Sequence, residues 1–310
     1  CGAGSFLSFF FFFLKNKGVK PEIINNNIFG IEKDEYLSKL ANTHIALATM
    51  KESNVICADS IERKTLNNED IEFVLDEGFD IVLANPPFGA KIKIGSEDTK
   101  KNFELAYKWK KSKTDDRFIK TDAISPNPSP QILFLELCIK LLKKGGRLGI
   151  VVPESMLSSS AGGYVVQYFM DNTDINAVIG MPENLFKTSG KGGTHTKTCL
   201  VIATKTDKPS SKNKIFMAEA KWCGHDSRGN TIPHNDLPII LENYLNKSEC
   251  SGDDSHLGYL VPQSSIVNNV LAPRYYNPES DLALRALSKT HDLLMIGDLI
   301  DSNVLSITTG

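Results

Sequence analysis

The tetrapeptide Asn85-Pro86-Pro87-Phe88 carries the groups needed to hold a planar ring that bears an amino group. Two adjacent prolines cannot continue a β-ladder, and each favours extended geometry in the residue before it. The chain therefore turns in a stiff corner that presents the Asn85 side-chain oxygen, the Pro86 carbonyl oxygen and an aromatic ring. Two acceptors and one flat ring suit the exocyclic amino group of a base. The alternative is a β-turn that contains two prolines for structural reasons alone.

Two carboxylates occupy similar positions at the ends of earlier segments. Residues 27–32 form a predicted strand that ends in Glu32, residues 33–50 have helical spacing, and residues 54–59 form a strand that ends in Asp59. An acid at the end of the second strand after a glycine turn commonly accepts hydrogen bonds from ribose hydroxyls. Asp59 is placed to accept from an adenine amino group. The alternatives are an exposed strand-end glutamate and an aspartate that caps a helix.

The chain begins with a small-residue turn, Cys1-Gly2-Ala3-Gly4, followed by the apolar run 6–14. Glycines let the backbone approach a ligand, and a helix N-terminus offers free N–H groups. No strand precedes this turn, so we expect the chain to be truncated at its N-terminus. The nine-residue run is shorter than the ~20 residues that span a bilayer, and we expect a buried helix or strand there.

These groups share one placement with respect to the predicted strands. Residues 79–84 form an apolar, β-branched strand that leads into Asn85, just as the earlier strands lead into Glu32 and Asp59. In open α/β sheets ligands bind at the carboxyl ends of the strands. Further strands at 147–152, 175–180 and 198–204 alternate with helices, which predicts a mostly parallel sheet. The sequence therefore predicts a ligand site at the carboxyl ends of these strands.

A long polar connection, residues 89–128, follows the proline corner. Between Lys91 and Lys120 it holds ten Lys and Arg against five Asp and Glu, with aromatic residues interleaved. A basic and aromatic segment suits the backbone of a nucleic acid. A solvated amphipathic helix is the alternative. The candidate DNA-binding residues are Lys108, Lys110, Lys111 and Lys113.

Composition places the chain among ordinary globular proteins of about two domains. It has 310 residues, 41% hydrophobic and 23% charged, with a formal net charge of -2. Six cysteines lack paired spacing and no secretory signal is visible, which predicts reduced thiols in the cytoplasm and no membrane association. Cysteine and histidine spacings near residues 221–256 fit no zinc pattern, so we expect no metal site.

Taken together, the motifs resemble those of a known family. The turn at 1–6, Gly30-Ile31-Glu32, Ala58-Asp59 and the proline corner occur in the order and spacing of N6-adenine DNA methyltransferases. Residues 178–186 and 196–202 resemble the modification subunit of type I restriction–modification systems. Residues 273–278 and 297–300 look like the entry to a target-recognition domain, as in single-chain restriction–modification enzymes.

The resemblance implies a Rossmann-like, S-adenosylmethionine-dependent methyltransferase sheet, α/β and mostly parallel with one antiparallel strand, whose first strand is missing. It implies three segments: a catalytic domain at 1–206, a family-specific extension at 207–256, and the start of a specificity-like domain at 257–310, truncated at its end. S-adenosylmethionine would be held at the ribose by Glu32, at the adenine by Asp59, and at the methionine end by the backbone of residues 1–4.

The implied reaction is methyl transfer to N6 of an adenine flipped out of double-stranded DNA, with Asn85 to Phe88 as the catalytic corner. The implied partners are a specificity subunit or domain and a restriction subunit. Two alternatives remain. In the first, the substrate differs, because the same corner serves methyltransferases that act on RNA or on protein glutamine. In the second, the chain is an inactive DNA-binding or assembly subunit.

Overall fold

The computed structural model describes residues 1–62, 77–88, 96–159, 162–183, 185–186, 196–210, 212–247, 255–306 and 308. Within these ranges the chain contains both helices and strands, as the sequence predicts. In order they are α1 (Ser5–Asn16), α2 (Pro21–Asn27), β1 (Phe29–Glu32), α3 (Glu35–Thr49), β2 (Asn54–Cys57), β3 (Phe79–Ala84), α4 (Glu97–Lys101), β4 (Tyr107–Lys111), β5 (Phe118–Ile124), α5 (Pro130–Lys140), β6 (Leu142–Pro153), α6 (Glu154–Ser158), α7 (Gly163–Asn172), β7 (Thr173–Gly180), β8 (Thr198–Lys205), β9 (Lys214–Glu219), β10 (Cys223–His225), β11 (Thr231–Asn235), α8 (Leu237–Leu245), β12 (Tyr259–Pro262), α9 (Pro278–Leu287) and α10 (Ile296–Asp301).

Six strands form the central sheet in the order β12-β9-β7-β8-β6-β3. β3 pairs in parallel with β6, and β7 pairs in parallel with β9, whereas β8 is antiparallel to both β6 and β7. The mostly parallel α/β sheet is confirmed. One antiparallel strand was expected, and the sheet contains two, β8 and β12. Both β9 and β12 lie beyond the predicted catalytic domain at 1–206.

β1 and β2 form a separate parallel pair in which Glu32 lies opposite Cys57. An edge-on contact between the rings of Phe29 and Phe79, with centroids 5.8 Å apart, links β1 to β3 of the central sheet. The strand predicted at 79–84 is confirmed, and the one predicted at 27–32 begins later, at Phe29, since α2 extends through Asn27. Short apolar and β-branched runs fit a pleated, half-buried surface.

The core lies between the central sheet and helices α5 and α7. Ser129 precedes α5 and Pro130 is its first residue, a position that favours proline, and Leu133, Leu135 and Ile139 are almost fully buried. The helix ends at Lys140, before the glycine pair at 145–146. Those glycines lie inside β6, where Gly145 has φ +78° and the register with β3 shifts. The pair therefore allows an irregularity in a strand and does not end the helix.

The apolar run at 6–14 lies in α1, but the expectation that this run is buried is wrong for most of its rings. Phe11 is fully buried against Ile24 and Ile28, whereas Phe9 is 77% exposed. A helix turns its consecutive side chains around the axis, so five phenylalanines in sequence cannot share one buried face. Among the described residues, no helix combines the length and the apolar character needed to cross a bilayer.

The sheet and its core continue beyond residue 257, where the sequence predicted a boundary. Tyr259 and Val261 of β12 and Leu271 belong to the main core, and the Tyr259 hydroxyl donates to the Pro273 carbonyl at 2.6 Å. From α9 to residue 306 almost every side chain is exposed. The assignment of these last residues to a target-recognition unit stays a prediction, as do the other segment limits.

Candidate active site

The proline corner begins directly after β3, whose last residue Ala84 lies opposite Ile150 of β6. Pro86 is buried and Phe88 is half-buried, while Asn85 and Pro87 are exposed. The Asn85 side chain makes no hydrogen bond to any other residue that the structure describes. An asparagine that stabilises a turn normally bonds its amide to nearby backbone. The absence of such a bond within the described ranges favours an acceptor that is free for a ligand.

The ring of Phe88 meets the ring of Phe186, with centroids 5.6 Å apart and an angle of 64° between the ring planes. Phe186 comes from the segment after β7, where the Met181 N–H donates to the Thr198 carbonyl at 2.8 Å. Leu185 N–H closes a turn onto the Pro182 carbonyl at 3.1 Å. Phe186 was not predicted as a site residue. The sequence feature that could have identified it is its position after the carboxyl end of β7, a strand that pairs in parallel with β9.

The glycine turn and Glu32 come together as the sequence predicted for neighbouring strand ends. One oxygen of Glu32 accepts the Gly2 N–H at 2.7 Å, and the other accepts the Asp34 N–H at 3.0 Å. Burial by itself would raise the pKa of Glu32, but hydrogen bonds from the backbone of Asp34 and Gly2 favour the charged form and lower the pKa. Glu32 is therefore held ionised.

Two glycines of the turn adopt backbone angles that other residues rarely take. Gly2 has φ +58°, and a Cβ placed there would meet nothing within 4 Å. Gly4 has φ +80°, and a Cβ there would approach the Ala41 side chain of α3 to 3.1 Å. Gly4 thus allows α1 to pack closely on α3, whereas the space that a Cβ on Gly2 would occupy is open.

Asp59 lies next to Glu32, because the Ala58 N–H donates to the Glu32 carbonyl at 2.9 Å. One Asp59 oxygen accepts the Ile61 N–H at 3.0 Å, and the other pairs with the Lys33 ammonium at 2.7 Å. The hydrogen bond and the charge of Asp59 raise the pKa of Lys33. The Lys33 side chain is 70% exposed and that of Asp59 is 22% exposed.

The predicted DNA-binding lysines lie on a β-hairpin formed by β4 and β5. This segment is not the amphipathic helix that was considered as the alternative. The aromatic residues of this segment turn inward: Trp109 stacks on Tyr164 of α7 with centroids 5.8 Å apart, and Phe118 contacts the same ring. Trp109 and Phe118 are therefore packing residues, whereas the Tyr107 ring lies 5.1 Å from the Lys120 ammonium. The four lysines are all exposed, namely Lys108, Lys110, Lys111 and Lys113.

Two buried polar side chains fasten the hairpin to the domain. The fully buried carboxylate of Glu136 accepts the N–H groups of Glu104 and Leu105, each at 2.8 Å. Gln167 accepts the Phe118 N–H at 2.7 Å and donates to the Phe118 carbonyl at 2.9 Å, as a neighbouring strand would. The hairpin therefore presents its lysines from a fixed base.

The chain resembles restriction–modification proteins in both sequence and fold. It is 24% identical over 253 residues to the "Type I restriction enzyme EcoEI methylase subunit" of Escherichia coli, a match that covers 73% of this chain and 45% of that protein. The chain thus spans less than half the length of this curated relative.

Solved structures of related systems share the fold. A chain from a type I restriction–modification system superposes with a TM-score of 0.64 at 20% identity, covering 98% of this chain and 60% of that one. The methyltransferase subunit of a type I system from Streptococcus thermophilus gives a TM-score of 0.56 at 22% identity, covering 79% of this chain and 47% of that one.

The family profile described as N-6 DNA Methylase matches residues 1–280. This range contains the glycine turn, both strand-end carboxylates, the proline corner and the whole central sheet. The match covers far more than half of the chain. The chain therefore belongs to the N-6 DNA Methylase family.

Proposed function

We propose that the chain is the catalytic part of a restriction–modification enzyme that transfers a methyl group from S-adenosylmethionine to N6 of adenine in double-stranded DNA. The observation that carries this proposal is the corner after β3. There an exposed Asn85, without a hydrogen bond to any described residue, lies three residues before a ring that contacts a second aromatic side chain. Membership of the N-6 DNA Methylase family supports the same reaction.

S-adenosylmethionine supplies an electrophilic methyl group when it is bound. The backbone of Cys1, Gly2, Ala3 and Gly4 would take the methionine end, because Gly2 leaves open space beside the chain. Glu32, ionised and fixed by backbone donors, would accept from the ribose hydroxyls with its remaining lone pairs. Asp59 would accept from the adenine amino group once Lys33 moves aside.

The target adenine must leave the duplex, which costs a few kcal/mol. Stacking on an aromatic ring returns about 1–3 kcal/mol per base, and Phe88 and Phe186 offer such rings. The N6 lone pair is delocalised into the base and is a weak nucleophile. Hydrogen bonds from N6–H to the Asn85 oxygen and the Pro86 carbonyl would favour a pyramidal nitrogen and stabilise the positive charge that develops on it.

No strong general base is required of the corner. The N6 proton becomes acidic only after the methyl group has been transferred, and water can then accept it. Pro86 and Pro87 contribute rigidity, because their fixed φ angles hold the carbonyl acceptor in place before the base arrives. This preorganisation is the main physical contribution of the corner to the rate.

The exposed lysines of the β4–β5 hairpin would contact DNA phosphates, which position the duplex without reading its sequence. Sequence reading is then left to a specificity subunit or domain, and cleavage to a restriction subunit. The name of the Escherichia coli relative, a methylase subunit of a type I restriction enzyme, supports this division. We place the enzyme in the cytoplasm, where DNA and reduced thiols occur together.

Transfer of a labelled methyl group tests the proposal. The full natural protein, with its partner subunits, is incubated with labelled S-adenosylmethionine and unmethylated genomic DNA, total RNA, or protein from the same cells. We expect label in DNA as N6-methyladenine, and an initial labelling rate about 10²–10³-fold lower in the same reaction with Asn85→Ala. Label in RNA or in protein glutamine would overturn the DNA assignment, and no label in any acceptor would indicate an assembly subunit.

A further inference from the structure

A cluster of four charged side chains lies at the carboxyl ends of the parallel strands, the same end of the sheet as the proline corner. The Lys197 ammonium lies 3.3 Å from Glu154 and 3.4 Å from Glu219. Arg274 pairs with the other oxygen of Glu154 at 3.0 Å, and Asn277 donates to Glu219 at 3.1 Å. The Glu154 side chain is only 6% exposed, whereas Lys197 is 29% and Arg274 50% exposed, and the two positive and two negative charges of the cluster balance.

The cluster joins the ends of three strands at the carboxyl edge. Glu154 follows β6, Glu219 ends β9, and Lys197 immediately precedes the antiparallel β8. The Glu154 N–H donates to the Lys197 carbonyl at 2.8 Å, so backbone and side chain of Lys197 are both bound to the same neighbour. Lys197 is therefore the point at which β6, β8 and β9 are tied together.

The same residue is connected to the segment that carries Phe186. The next residue along the chain, Thr198, accepts the Met181 N–H at 2.8 Å, and Ala220 N–H donates to the Gly180 carbonyl at 2.8 Å. The chain at Met181 thus leaves the sheet between the two strand ends that Lys197 and Glu219 hold together. Phe186 closes this segment against Phe88.

The ammonium of Lys197 remains charged in this setting. Burial would lower the pKa of Lys197, but the charges of Glu154 and Glu219 outweigh it and raise the pKa. Replacing Lys197 by a neutral side chain leaves two carboxylates at the strand ends with Arg274 as the remaining cation of the cluster. Carboxylates that lose their shared counter-ion repel each other, which destabilises this end of the sheet.

We propose that Lys197 is a positioning residue, which holds residues 181–186 so that the Phe186 ring stays against Phe88 where the target base binds. The inference rests on the proposed function, because it assigns the pocket to adenine. Lys197 itself need not touch the base or the cofactor. Its effect passes through Glu154 and Glu219 to the backbone that carries Phe186.

The test compares Lys197→Met and Lys197→Arg with the matched control Lys205→Met. Lys205 ends the same strand at its opposite end, where its ammonium donates to the carbonyls of Lys140 and Leu142. Its loss lowers stability without altering the carboxyl edge. In the full protein we expect Lys197→Met to lower the single-turnover rate about 10- to 100-fold, as small misplacements do. S-adenosylmethionine affinity should stay within about twofold, and Lys197→Arg should recover most of the rate.

Hydrogen exchange at residues 181–186 decides the inference independently of catalysis. We expect faster exchange of the Met181 and Leu185 amides in Lys197→Met, and unchanged exchange in Lys205→Met. If Lys197→Met does not fold, Glu219→Gln, which removes one arm of the cluster, should show the same change to a smaller extent. Unchanged exchange at 181–186, or an equal change in the Lys205 control, would overturn the positioning role. Altered exchange in a protein that methylates no DNA would instead overturn the proposed function alone.

Discussion

Phe88 and Phe186 meet edge to face although β3 and β7, the strands that lead to them, are separated by β6 and β8 in the sheet. β3 and β7 run in the same direction, so their carboxyl ends lie at one edge. The chain after each strand turns toward the other, and the rings meet above the intervening strands. An aromatic contact of this kind places a stacking surface beside the Asn85 acceptor.

Substitutions at Asn85 distinguish a catalytic role of this residue from a purely structural one. Asn85→Asp keeps an acceptor oxygen, so measurable methyl transfer should survive. Asn85→Ala removes the acceptor and should lower the rate about 10²–10³-fold, as is typical for one lost transition-state hydrogen bond. Single-turnover methylation, normalised to folded protein, measures both. S-adenosylmethionine affinity should change little in either variant.

A purely structural asparagine would behave differently. Its replacement by alanine would lower the free energy of unfolding by about 1 kcal/mol and leave turnover per folded molecule intact. Full activity in Asn85→Ala would therefore remove the corner from the reaction.

The contact between the two rings can be measured without any substrate. Phe88→Leu, Phe186→Leu and the double variant form a thermodynamic cycle in the free energy of unfolding. Edge-to-face pairs contribute about 0.5–1.5 kcal/mol beyond their burial, so we expect a coupling of this size. Phe103, which is buried away from this pair, serves as the control partner in a second cycle with Phe88. A coupling near zero in the first cycle would show that the rings do not meet in solution.

The cofactor assignment predicts that Glu32→Ala and Asp59→Ala each weaken S-adenosylmethionine binding. Hydrogen bonds to charged groups contribute about 1.5–3 kcal/mol, which corresponds to roughly a 10- to 150-fold loss of affinity. Titration calorimetry on the full protein measures the affinity for S-adenosylmethionine. Glu35→Ala is the matched control, because Glu35 is exposed and pairs with Lys39 on α3. Unchanged affinity in both test variants would reject the assignment.

The lowered pKa of Glu32 predicts a pH dependence of stability. A carboxyl group with a lower pKa in the folded than in the unfolded state stabilises the fold above its unfolded pKa, near 4.5. This contribution is lost as the pH falls from about 4.5 through the folded pKa. Thermal unfolding between pH 7 and pH 3 measures it, and Glu32→Gln should flatten that part of the curve. An identical slope in the variant would show that Glu32 is not held by the glycine turn.

The hairpin lysines predict a salt-dependent, sequence-independent contribution to DNA affinity. Glutamine at Lys108, Lys110, Lys111 and Lys113 should weaken binding to all sequences alike and flatten the plot of log affinity against log salt by about 0.9 per lost phosphate contact. The double variant of Lys143 and Lys144 is a control, since both are exposed near the start of β6 at the opposite edge of the sheet. An unchanged slope in the fourfold variant would show that the hairpin does not contact DNA.

Local pattern was sufficient for the elements that lead to the site. β1, β2 and β3 each coincide with a short run rich in apolar and β-branched residues, and each ends at or near a polar residue. Both features can be recognised from a few consecutive residues of the sequence. The stiffness of the Asn85 corner is also local, because proline fixes its own φ and restricts the residue before it. The sequence by itself therefore determined the α/β class and the placement of Glu32, Asp59 and Asn85 at strand ends.

Tertiary structure decided which distant residues meet at those ends. The contact of Phe186 with Phe88, the cluster around Lys197 and the inward packing of Trp109 depend on strand order, and strand order is set by long-range pairing and packing. The same holds for β12, whose four residues join the sheet only because β9 offers an open edge. A one-dimensional pattern records the face on which a side chain lies. It does not record the neighbour that the fold brings to that face.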